Sequence, residues 1–247
     1  MSNLGTVVVT GGARGIGAET VKLCAQAGHD VFFTYAARPD RAEQVIAECQ
    51  PYGVTVKAMQ ADVRDPLLSK AVIETAAEIS PVVGLVNNAG ITSNIGSFLD
   101  VDIDAMRDVL DVNVMGTMLI CQAAVRHWVS SDAGGAIVNV SSIAATLGAP
   151  GEYIHYAGSK AAVEGFTIGL AKEFADRSIR ANVVSPGTTL TEIHALSGEP
   201  GRADRVAPRI PMKRAGDAVE IAEAIVWLLS KRASYVTGSV LRVAGGL

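Results

Sequence analysis

The sequence contains little cysteine, and the few cysteines are scattered. Only 3 occur among 247 residues, at Cys24, Cys49 and Cys121, and no two of them form a Cys-x-x-Cys pair. Such spacing is not typical of a disulfide framework or of a zinc site. We therefore expect no metal centre, three unpaired thiols and a reducing, cytoplasmic compartment.

The sequence also lacks a basic run, a long apolar run and a charged amino-terminal region. The formal net charge is -4, without clustered lysine or arginine, so no footprint for nucleic acid is visible. No apolar run reaches the length of a membrane span. Met1–Thr10 has no charged leader, and Val7–Val9 within it is typical of a strand rather than of a signal peptide. We expect neither nucleic acid nor a membrane among the partners.

The chain does have enough apolar material for a large core. Hydrophobic residues make up 49% of the sequence and charged residues 19%. A chain of this length and composition can bury the core of one large α/β domain, and global disorder is excluded. No linker, repeat or low-complexity segment divides the chain, so a single domain over residues 1–247 is predicted.

Short β-branched runs alternate with longer helical patterns along the chain. Strands are predicted at Thr6–Thr10, Val31–Tyr35, Thr55–Gln60, Val82–Asn87, Ala136–Val140, Arg180–Val184 and Val240–Val243. Helices are predicted at Gly15–Ala27, from Pro39 to about Tyr52, and at Pro66–Ile79, Ile103–Val129, Tyr153–Ala175 and Asp217–Leu229. Apolar strands separated by helices indicate a parallel sheet covered on both faces. Right-handed crossovers then give a doubly wound, Rossmann-like α/β domain of about seven strands.

One segment, residues 188–214, departs from this alternation. It is rich in glycine, proline and charge, and it has no clear periodicity. So long an irregular connection inside a compact domain is usually functional, often as a lid. We expect a substrate lid at about 188–214, with a solvated surface insertion as the alternative.

A glycine-rich turn joins the first predicted strand to the first helix. Gly11 permits a tight turn, Gly15 lets the backbone approach a pyrophosphate, and Gly17 lets helix and strand pack closely. Free N–H groups at the helix start would then face the phosphates. We predict that a dinucleotide contacts Gly11, Arg14, Gly15, Ile16 and Gly17.

The end of the second strand bears on which dinucleotide binds. An NAD site places a carboxylate there, about 20 residues beyond the glycines, on the ribose 2′-OH. Here no acid follows Tyr35, which is itself predicted to contact the cofactor. Arg38 could reach a 2′-phosphate, and Arg14 could clamp the same group. NADP(H) is therefore favoured over NAD(H), unless Arg38 is an ordinary solvated loop arginine.

Small and polar residues follow the third and fourth strands, at the sheet edge where ligands bind in such folds. Asp62, beside Val63, could accept a hydrogen bond from an adenine amino group or could cap the next turn. Asn88, Ala89 and Gly90 would let the backbone run close to a flat ligand. We predict that all five residues contact the cofactor.

Tyr156 and Lys160 stand four residues apart in a predicted helix, so they share one face of it. A phenol has a reference pKa of about 10, and a neighbouring ammonium lowers that pKa. The pair is a candidate proton donor and acceptor near neutral pH. Ser142 follows the fifth strand at the same sheet edge, and Asn113 lies in an apolar helix where an amide needs a hydrogen-bond partner.

Together these motifs resemble the short-chain dehydrogenase/reductase family over essentially the whole chain. The glycine turn, Asn87–Gly90, Ser142 and the Tyr156/Lys160 pair occur in the family's order and spacing. The sequence looks most like bacterial 3-oxoacyl-carrier-protein reductases and sugar or secondary-alcohol dehydrogenases.

The resemblance implies a role for each of four catalytic residues. Tyr156 would transfer a proton, and Ser142 would hold the carbonyl oxygen. Lys160 would lower the pKa of Tyr156 and bond the nicotinamide ribose. Asn113 would hold a water that joins Lys160 to solvent, through a helix irregularity. The resemblance also implies cofactor contacts from Tyr156, Lys160, Pro186, Gly187, Thr189 and Thr191.

Two features depart from the family's pattern. Ser142 and Tyr156 stand fourteen positions apart, one more than in many members, so the loop between them carries an extra residue. Tyr153 is a rival phenol, but only Tyr156 is followed by a lysine four residues on, and we interpret Tyr153 as a wall of the substrate pocket. Ser141, the rival to Ser142, is expected on the opposite face of its strand.

Other ionisable residues near these motifs have less specific interpretations. His155 is expected to face away from Tyr156, toward the pocket or a subunit contact, and His194 is a candidate substrate contact in the lid. The three lid arginines could form a solvated face or could meet an acidic carrier. They are Arg202, Arg205 and Arg209.

The resemblance implies an NADP(H)-dependent oxidoreductase of ketoreductase type, which interconverts a small-molecule carbonyl and a secondary alcohol. Exposed small residues such as Ala162 and Gly165 suit helix-to-helix contacts, and similar members are commonly tetramers, so a homotetramer is expected. The alternatives are an NAD-dependent sugar or alcohol dehydrogenase and a catalytically idle NADP(H)-binding regulator, since fold alone does not give function.

Overall fold

Seven parallel strands form the central sheet. The computed structural model describes residues 4–247. Its strands are β1 (Thr6–Thr10), β2 (Asp30–Tyr35), β3 (Val56–Gln60), β4 (Val82–Asn87), β5 (Gly135–Val140), β6 (Ile179–Pro186), β7 (Thr189–Leu190), β8 (Gly216–Asp217) and β9 (Val240–Val243). The central sheet has the order β3-β2-β1-β4-β5-β6-β9, and β7 pairs with β8 in a separate small sheet. The predicted doubly wound Rossmann-like fold is confirmed.

Helices cover both faces of this sheet. In chain order they are α1 (Gly15–Gln26), α2 (Pro39–Cys49), α3 (Pro66–Ala77), α4 (Ile103–Leu110), α5 (Thr117–Ser130), α6 (Ala144–Leu147), α7 (Ile154–Phe174), α8 (Ile193–Leu196), α9 (Arg202–Val206) and α10 (Ala218–Leu229). Pro39 and Pro66 begin α2 and α3, where a missing N–H costs nothing. The Asp65 side chain caps α3 by accepting from the N–H groups of Leu67 and Leu68.

The strands bury alternate residues in two separate cores. Val7 and Val9 point to one face, where they meet α1, α2 and α10, and Val8 points to the other, where it meets α3 and α5. This period of two is the pleat of a β-strand. The three cysteines are buried in these cores, and burial raises the pKa of Cys24 and Cys121 to about 12.

The long helical stretch between β4 and β5 is not a regular α-helix. Residues 111–116 form a π-helix turn between α4 and α5, which is the irregularity that the resemblance implied near Asn113. At its end Gly116 lies against Val63, where an added Cβ would approach Val63 Cγ2 to 2.7 Å. A larger residue would therefore push the π turn away from the loop after β3.

The same stretch contradicts the expectation that no apolar run reaches the length of a membrane span. Ile103–Ser130 spans 28 residues, and an 18-residue window within it has a mean hydropathy of 1.3, so the stretch is long and apolar enough to cross a membrane. However, 44% of its most apolar window is buried inside the protein. Cys121, Ala124 and Trp128 pack in the core on that side of the sheet, as residues of a core helix do.

The segment at 188–214 is less irregular than its sequence indicates. It holds the short helices α8 and α9, and β7 within it pairs with β8 beyond its end. His194 Nε2 contacts the carbonyl oxygen of Thr189 at 3.0 Å, and Ser197 Oγ donates to the carbonyl of His194 at 2.9 Å. Such local bonds hold short helices that have no periodic apolar face.

The strand order reverses between β1 and β4, and this places the candidate site. Chains leaving the carboxyl ends of these two strands run in opposite directions across the sheet, so a crevice opens between them. The glycine turn follows β1 and Asn88–Gly90 follows β4. Both predicted ligand-binding segments therefore line one crevice.

Candidate active site

The glycine turn has the geometry of a phosphate cradle. Gly11 has φ of +66°, and a Cβ at Gly17 would lie only 2.2 Å from the Gly11 carbonyl oxygen. Arg14 precedes α1 without a capping hydrogen bond from its side chain, so the first N–H groups of the helix are available to an anion. A cavity of about 120 Å³ lies at this point, lined by residues that include Gly11, Arg14, Gly15, Ile16 and Ala89.

Asn88 fastens the loop after β4 to the loop after β1. Its Nδ2 donates to the carbonyl oxygens of Thr10 and Gly11 at 3.1 and 3.0 Å. The Thr10 hydroxyl in turn accepts from the N–H groups of Asn88 and Ala89, both at 3.1 Å. The Asn88 side chain therefore joins the two loops that line the crevice.

The end of β2 carries no carboxylate directed toward the crevice. Arg38 forms a two-pronged ion pair with Asp40 at 2.9 and 2.6 Å, and this pair lowers the pKa of Asp40 to about 2. The Tyr35 carbonyl accepts from the Ala61 N–H at 3.0 Å. Arg38 is exposed and would have to exchange Asp40 for a phosphate in order to bind one.

Two arginines converge on one carboxylate of the 188–214 segment, beside the glycine turn. Glu192 lies 3.8 Å from Arg14 and 3.3 Å from Arg41, and it lines the smaller cavity. Neither Arg41 nor Glu192 was recognised from the sequence. No spacing rule could find this pair, because Arg41 and Glu192 are 151 positions apart.

Asp62 is engaged by its own turn. Its carboxylate accepts from the Arg64 backbone N–H at 3.0 Å and from the Arg64 guanidinium at 2.7 Å. Arg64 also reaches Asp108 at 3.1 Å. The hydrogen bond from Arg64 lowers the pKa of Asp62. The turn-capping interpretation of Asp62 is thus satisfied, and Val63 beside it packs on Gly116.

Tyr156, Ser142 and Lys160 meet in the larger cavity. Its volume is about 360 Å³, and the three side chains line it together with Asn88, Gly90, Pro186, Gly187, Thr189 and Thr191. Ser142 lies within hydrogen-bonding reach of Tyr156, and the Lys160 ammonium is 5.7 Å from the centre of the Tyr156 ring. The parallel sheet thus brings these three residues together with Asn88 and Thr191, which are distant from them in sequence.

Burial has the largest effect on the pKa values of Tyr156 and Lys160. It raises the pKa of Tyr156, and the hydrogen bond with Ser142 and the charge of Arg202 oppose only part of that rise. Burial also lowers the pKa of Lys160 to about 8. Lys160 Nζ donates to the Val140 carbonyl at 2.8 Å. The expected lowering of the Tyr156 pKa by Lys160 is therefore not seen in this arrangement, because the amine is directed to the backbone.

Asn113 is fully buried and ties three segments together. Its Oδ1 accepts from the Ile91 N–H at 2.9 Å, and its Nδ2 donates to the Ile91 carbonyl at 2.9 Å. Nδ2 also reaches the Ser159 hydroxyl at 3.0 Å. Beside it, a Cβ on Gly90 would lie 3.2 Å from Asn113 Oδ1 and 3.3 Å from Lys160 Nζ. The π turn thus presents this amide next to the lysine.

The rival side chains are occupied elsewhere. Ser141 donates to the Lys160 carbonyl and to Glu164, at 3.2 and 2.8 Å. His155 Nε2 contacts the Ser93 hydroxyl at 2.6 Å, and burial lowers its pKa. Tyr153 lines the cavity, as interpreted from the sequence, and burial raises its pKa.

The loop after β6 forms the far wall of the cavity. The Thr189 hydroxyl donates to the Gly187 carbonyl at 3.0 Å. A Cβ at Gly187 would lie 2.7 Å from the Ala244 backbone, so only glycine fits there. A Cβ on Gly15 would lie 3.2 Å from the Thr191 side chain, which brings this loop to the phosphate cradle. Pro186 lies in the same wall.

The lid arginines are not all solvated, which corrects one sequence-based interpretation. The Arg202 side chain is only 11% exposed and pairs with Glu152 at 2.6 Å. Arg205 reaches the same carboxylate at 2.8 Å and also pairs with Glu199. Arg209 is exposed and lines the cavity mouth. Glu152 was not singled out from the sequence, because its partners lie about 50 residues away.

These features define a class of protein. A doubly wound parallel sheet carries a glycine cradle for pyrophosphate, and a tyrosine, a serine and a lysine line the adjoining cavity. A crevice of this kind at the strand-order switch binds dinucleotides. Fold and site together are those of a dinucleotide-dependent oxidoreductase.

Comparison with known proteins identifies the family within this class. The family model described as "Enoyl-(Acyl carrier protein) reductase" matches residues 11–247. "Uncharacterized oxidoreductase YgfF" of Escherichia coli (strain K12) is 45% identical over 242 residues, which cover 97% of this chain and 98% of that protein. The 3-oxoacyl-[acyl-carrier-protein] reductase FabG of Staphylococcus epidermidis is 34% identical over 244 residues, 98% of each chain.

A solved structure of the same family also matches this chain. A short chain dehydrogenase from Burkholderia cenocepacia J2315, in complex with NADP, matches with a TM-score of 0.90 and 35% identity, over 98% of this chain and 97% of that one. The chain belongs to the short-chain dehydrogenase/reductase family, as the sequence motifs indicated.

Proposed function

We propose that this protein is an NADP(H)-dependent oxidoreductase that interconverts a carbonyl compound and a secondary alcohol. The observation that carries the proposal is the meeting of Tyr156, Ser142 and Lys160 in one cavity, beside a cradle whose glycines leave no room for a Cβ. The relative from Burkholderia cenocepacia was solved with NADP, which supports the choice of dinucleotide. We expect the enzyme to act in the cytoplasm.

The residues of the crevice suit a dinucleotide with an additional phosphate. The first N–H groups of α1 would hold the pyrophosphate, and the strand end after Tyr35 offers no carboxylate to a ribose hydroxyl. Arg14, Arg38 and Arg41 would supply positive charge for a 2′-phosphate, since guanidinium groups bind phosphate oxygens in pairs. When bound, the nicotinamide supplies or accepts the hydride.

Proton transfer would fall to the protein's own side chains. Ser142 holds the substrate oxygen and the phenol of Tyr156 in one place, so that the phenol can donate to the carbonyl oxygen during reduction. Lys160 brings positive charge to the same cavity and would hold a ribose hydroxyl. Asn113 fixes Ile91 and Ser159, and thereby the loop and helix on either side of Lys160. Water is excluded by the lid at 188–214.

A substrate panel tests the proposal. Turnover would be measured with NADPH and with NADH against small ketones, cyclic ketones, sugars and 3-oxoacyl thioesters, in both directions. We expect reduction of at least one ketone class with a higher kcat/KM for NADPH. Tight NADPH binding without turnover of any compound would instead support an idle cofactor-binding regulator, and a preference for NADH would support an NAD-dependent dehydrogenase.

A further inference from the structure

The lid reaches the proton-donating tyrosine through two stacked contacts. The Arg202 guanidinium lies 5.3 Å from the centre of the Tyr153 ring, within the range of a cation–π interaction. The Tyr153 ring stands nearly perpendicular to that of Tyr156, at 83° with centres 5.2 Å apart, which is a favoured edge-to-face geometry. A continuous contact therefore runs from α9 to the catalytic phenol.

A carboxylate on the facing loop holds the Arg202 guanidinium in place. Glu152 Oε2 accepts from Arg202 Nε and Nη2, at 3.1 and 2.6 Å. Burial acts to raise the pKa of Glu152, but hydrogen bonds from Arg202 and Arg205 outweigh it and lower that pKa. The Glu152 carbonyl also accepts from the Gly96 N–H at 2.9 Å. This backbone hydrogen bond links the pair to the loop after β4.

Ionisable side chains on three elements line the cavity that contains Tyr156. Lys160 lies on its own helix and donates to the Val140 carbonyl. Arg202 lies on α9 and pairs with Glu152, and His194 on α8, whose pKa is lowered by burial, lines the same cavity. Among these, Arg202 is the cation stacked on the ring that touches Tyr156. Its positive charge favours the ionised phenol, whereas Glu152 opposes that effect.

We propose that Arg202 is a positioning residue for proton transfer, which holds Tyr153 against Tyr156 and supplies positive charge beside the phenol. The inference rests on the proposed function, in which Tyr156 is the proton donor. It assigns to the lid a part in the chemistry besides covering the substrate.

Three single variants separate this role from a structural one. Arg202→Met keeps much of the side-chain volume and removes the charge. Glu152→Gln keeps the shape of the partner and removes the opposing charge. Arg205→Met is the matched control, because Arg205 also pairs with Glu152 but its side chain is 42% exposed. Within residues 4–247, Arg205 makes no contact with an aromatic ring. Circular dichroism and thermal melting would establish that each variant is folded.

Two readouts follow the protonation of Tyr156. One is the pH dependence of kcat/KM for ketone reduction, which declines as the phenol ionises. The other is the ultraviolet absorbance of tyrosinate in the free protein, taken as the difference between each variant and the same variant with Tyr156→Phe. The second readout needs neither substrate nor cofactor.

The variants should move the pKa of Tyr156 in opposite directions. Arg202→Met should raise it by on the order of half a unit, because a partly compensated charge is removed at short range. Glu152→Gln should lower it, and Arg205→Met should leave it unchanged. Equal losses of activity with unshifted pH profiles would assign Arg202 to lid structure alone and overturn the proposal.

The test still gives an answer if one variant does not fold or if the proposed function is wrong. If Arg202→Met does not fold, Glu152→Gln decides: a lowered pKa supports the proposal, and an unchanged or raised one overturns it. If the wild-type protein reduces no ketone, the proposed function fails, while the tyrosinate titration still tests the contact between Arg202 and Tyr156.

Discussion

At the scale of single residues, the cavity contains two phenols in edge-to-face contact, and only one of them has a serine and a lysine nearby. Tyr153 and Tyr156 are both buried. Tyr156 has Ser142 within hydrogen-bonding reach and Lys160 one helical turn further on. Tyr153 instead has Arg202 over its ring. Neighbouring side chains, rather than burial, therefore distinguish the two phenols.

Replacing Tyr156 by phenylalanine should abolish most turnover. The change removes the transferable proton and little volume, so kcat should fall by about 10²–10⁴, the range for general acid–base catalysis. NADPH affinity, measured by fluorescence titration, should change little. Tyr153→Phe is the matched control and should lose far less activity, since its ring contacts persist. Near-normal turnover of Tyr156→Phe would reject Tyr156 as the acid.

Removal of Arg38 should weaken NADPH binding selectively. A charge-assisted hydrogen bond contributes roughly 1.5–3 kcal/mol, so Arg38→Ala should weaken NADPH by about tenfold or more, since about 1.4 kcal/mol is tenfold. NADH should barely respond, because it lacks the 2′-phosphate. An acid introduced by Ala36→Asp should reverse the preference, by binding a ribose hydroxyl and repelling the phosphate. If Arg38→Ala weakened the binding of NADPH and NADH equally, Arg38 would have no specific contact with the 2′-phosphate.

Neutralising Glu192 should have the opposite effect. In the free protein Glu192 pairs with Arg14 and Arg41, and it would repel the phosphates of a dinucleotide. Exposed ion pairs contribute about 0.2–1 kcal/mol, so Glu192→Gln should tighten NADPH by about two- to fivefold, and NADH by less. The control is Glu199→Gln, a lid carboxylate paired with Arg205. Unchanged affinity, measured at low salt, would show that Glu192 does not compete for these arginines.

At the scale of elements, the site depends on places where two segments approach without a side chain between them. Gly17 on α1 lies against the Gly11 carbonyl, and Gly116 at the end of the π turn lies against Val63. Gly187 after β6 lies against Ala244. At each of these positions an added Cβ would collide with a neighbouring segment, so the packing around the site requires glycine there.

Adding one methyl group at Gly17 should therefore disrupt the cradle. An alanine Cβ would lie 2.2 Å from the Gly11 carbonyl oxygen and 2.5 Å from Asn88 Nδ2. Overpacking of this kind costs about 1–3 kcal/mol, so Gly17→Ala should lower the melting temperature and weaken NADPH and NADH alike. Gly96→Ala is the control, since a Cβ there meets nothing within 4 Å. Normal binding by Gly17→Ala would show that the cradle is not where phosphates bind.

At the scale of the whole molecule, the long helices leave apolar surface exposed. Ile103, Leu110 and Met115 are 58%, 47% and 48% exposed on the helical stretch after β4. On α7, Ala162 and Gly165 are exposed, and a Cβ on Gly165 would meet nothing within 4 Å. Exposed apolar and small residues on long helices are compatible with subunit contacts.

We expect a homotetramer built through these helices. Light scattering at micromolar concentration should give four times the mass of one chain, and Ala162→Glu should lower it, because a buried carboxylate without a partner is costly. Lys70→Glu is a control on an exposed position of α3. A monomeric mass for the wild-type protein would contradict the expectation.

Local sequence determined the fold class and most elements of this protein. Strand bounds at β1, β4 and β9 agree with the prediction, because short apolar, β-branched runs beside glycine or proline are local signals. The glycine turn and the spacing of Tyr156 and Lys160 are likewise local. The short helices α8 and α9 were missed because they are held by side chains and loops rather than by a periodic apolar face.

Tertiary structure alone decided which charges distant in sequence meet. Arg41 and Glu192 are 151 positions apart, and Glu152 and Arg202 are 50 apart, so no spacing rule could pair them. Tertiary structure also turned Lys160 toward the Val140 carbonyl, and burial rather than the lysine set the direction of the Tyr156 pKa. Sequence patterns report neighbours along the chain, whereas electrostatic interactions depend on distance through space and on the loss of solvent.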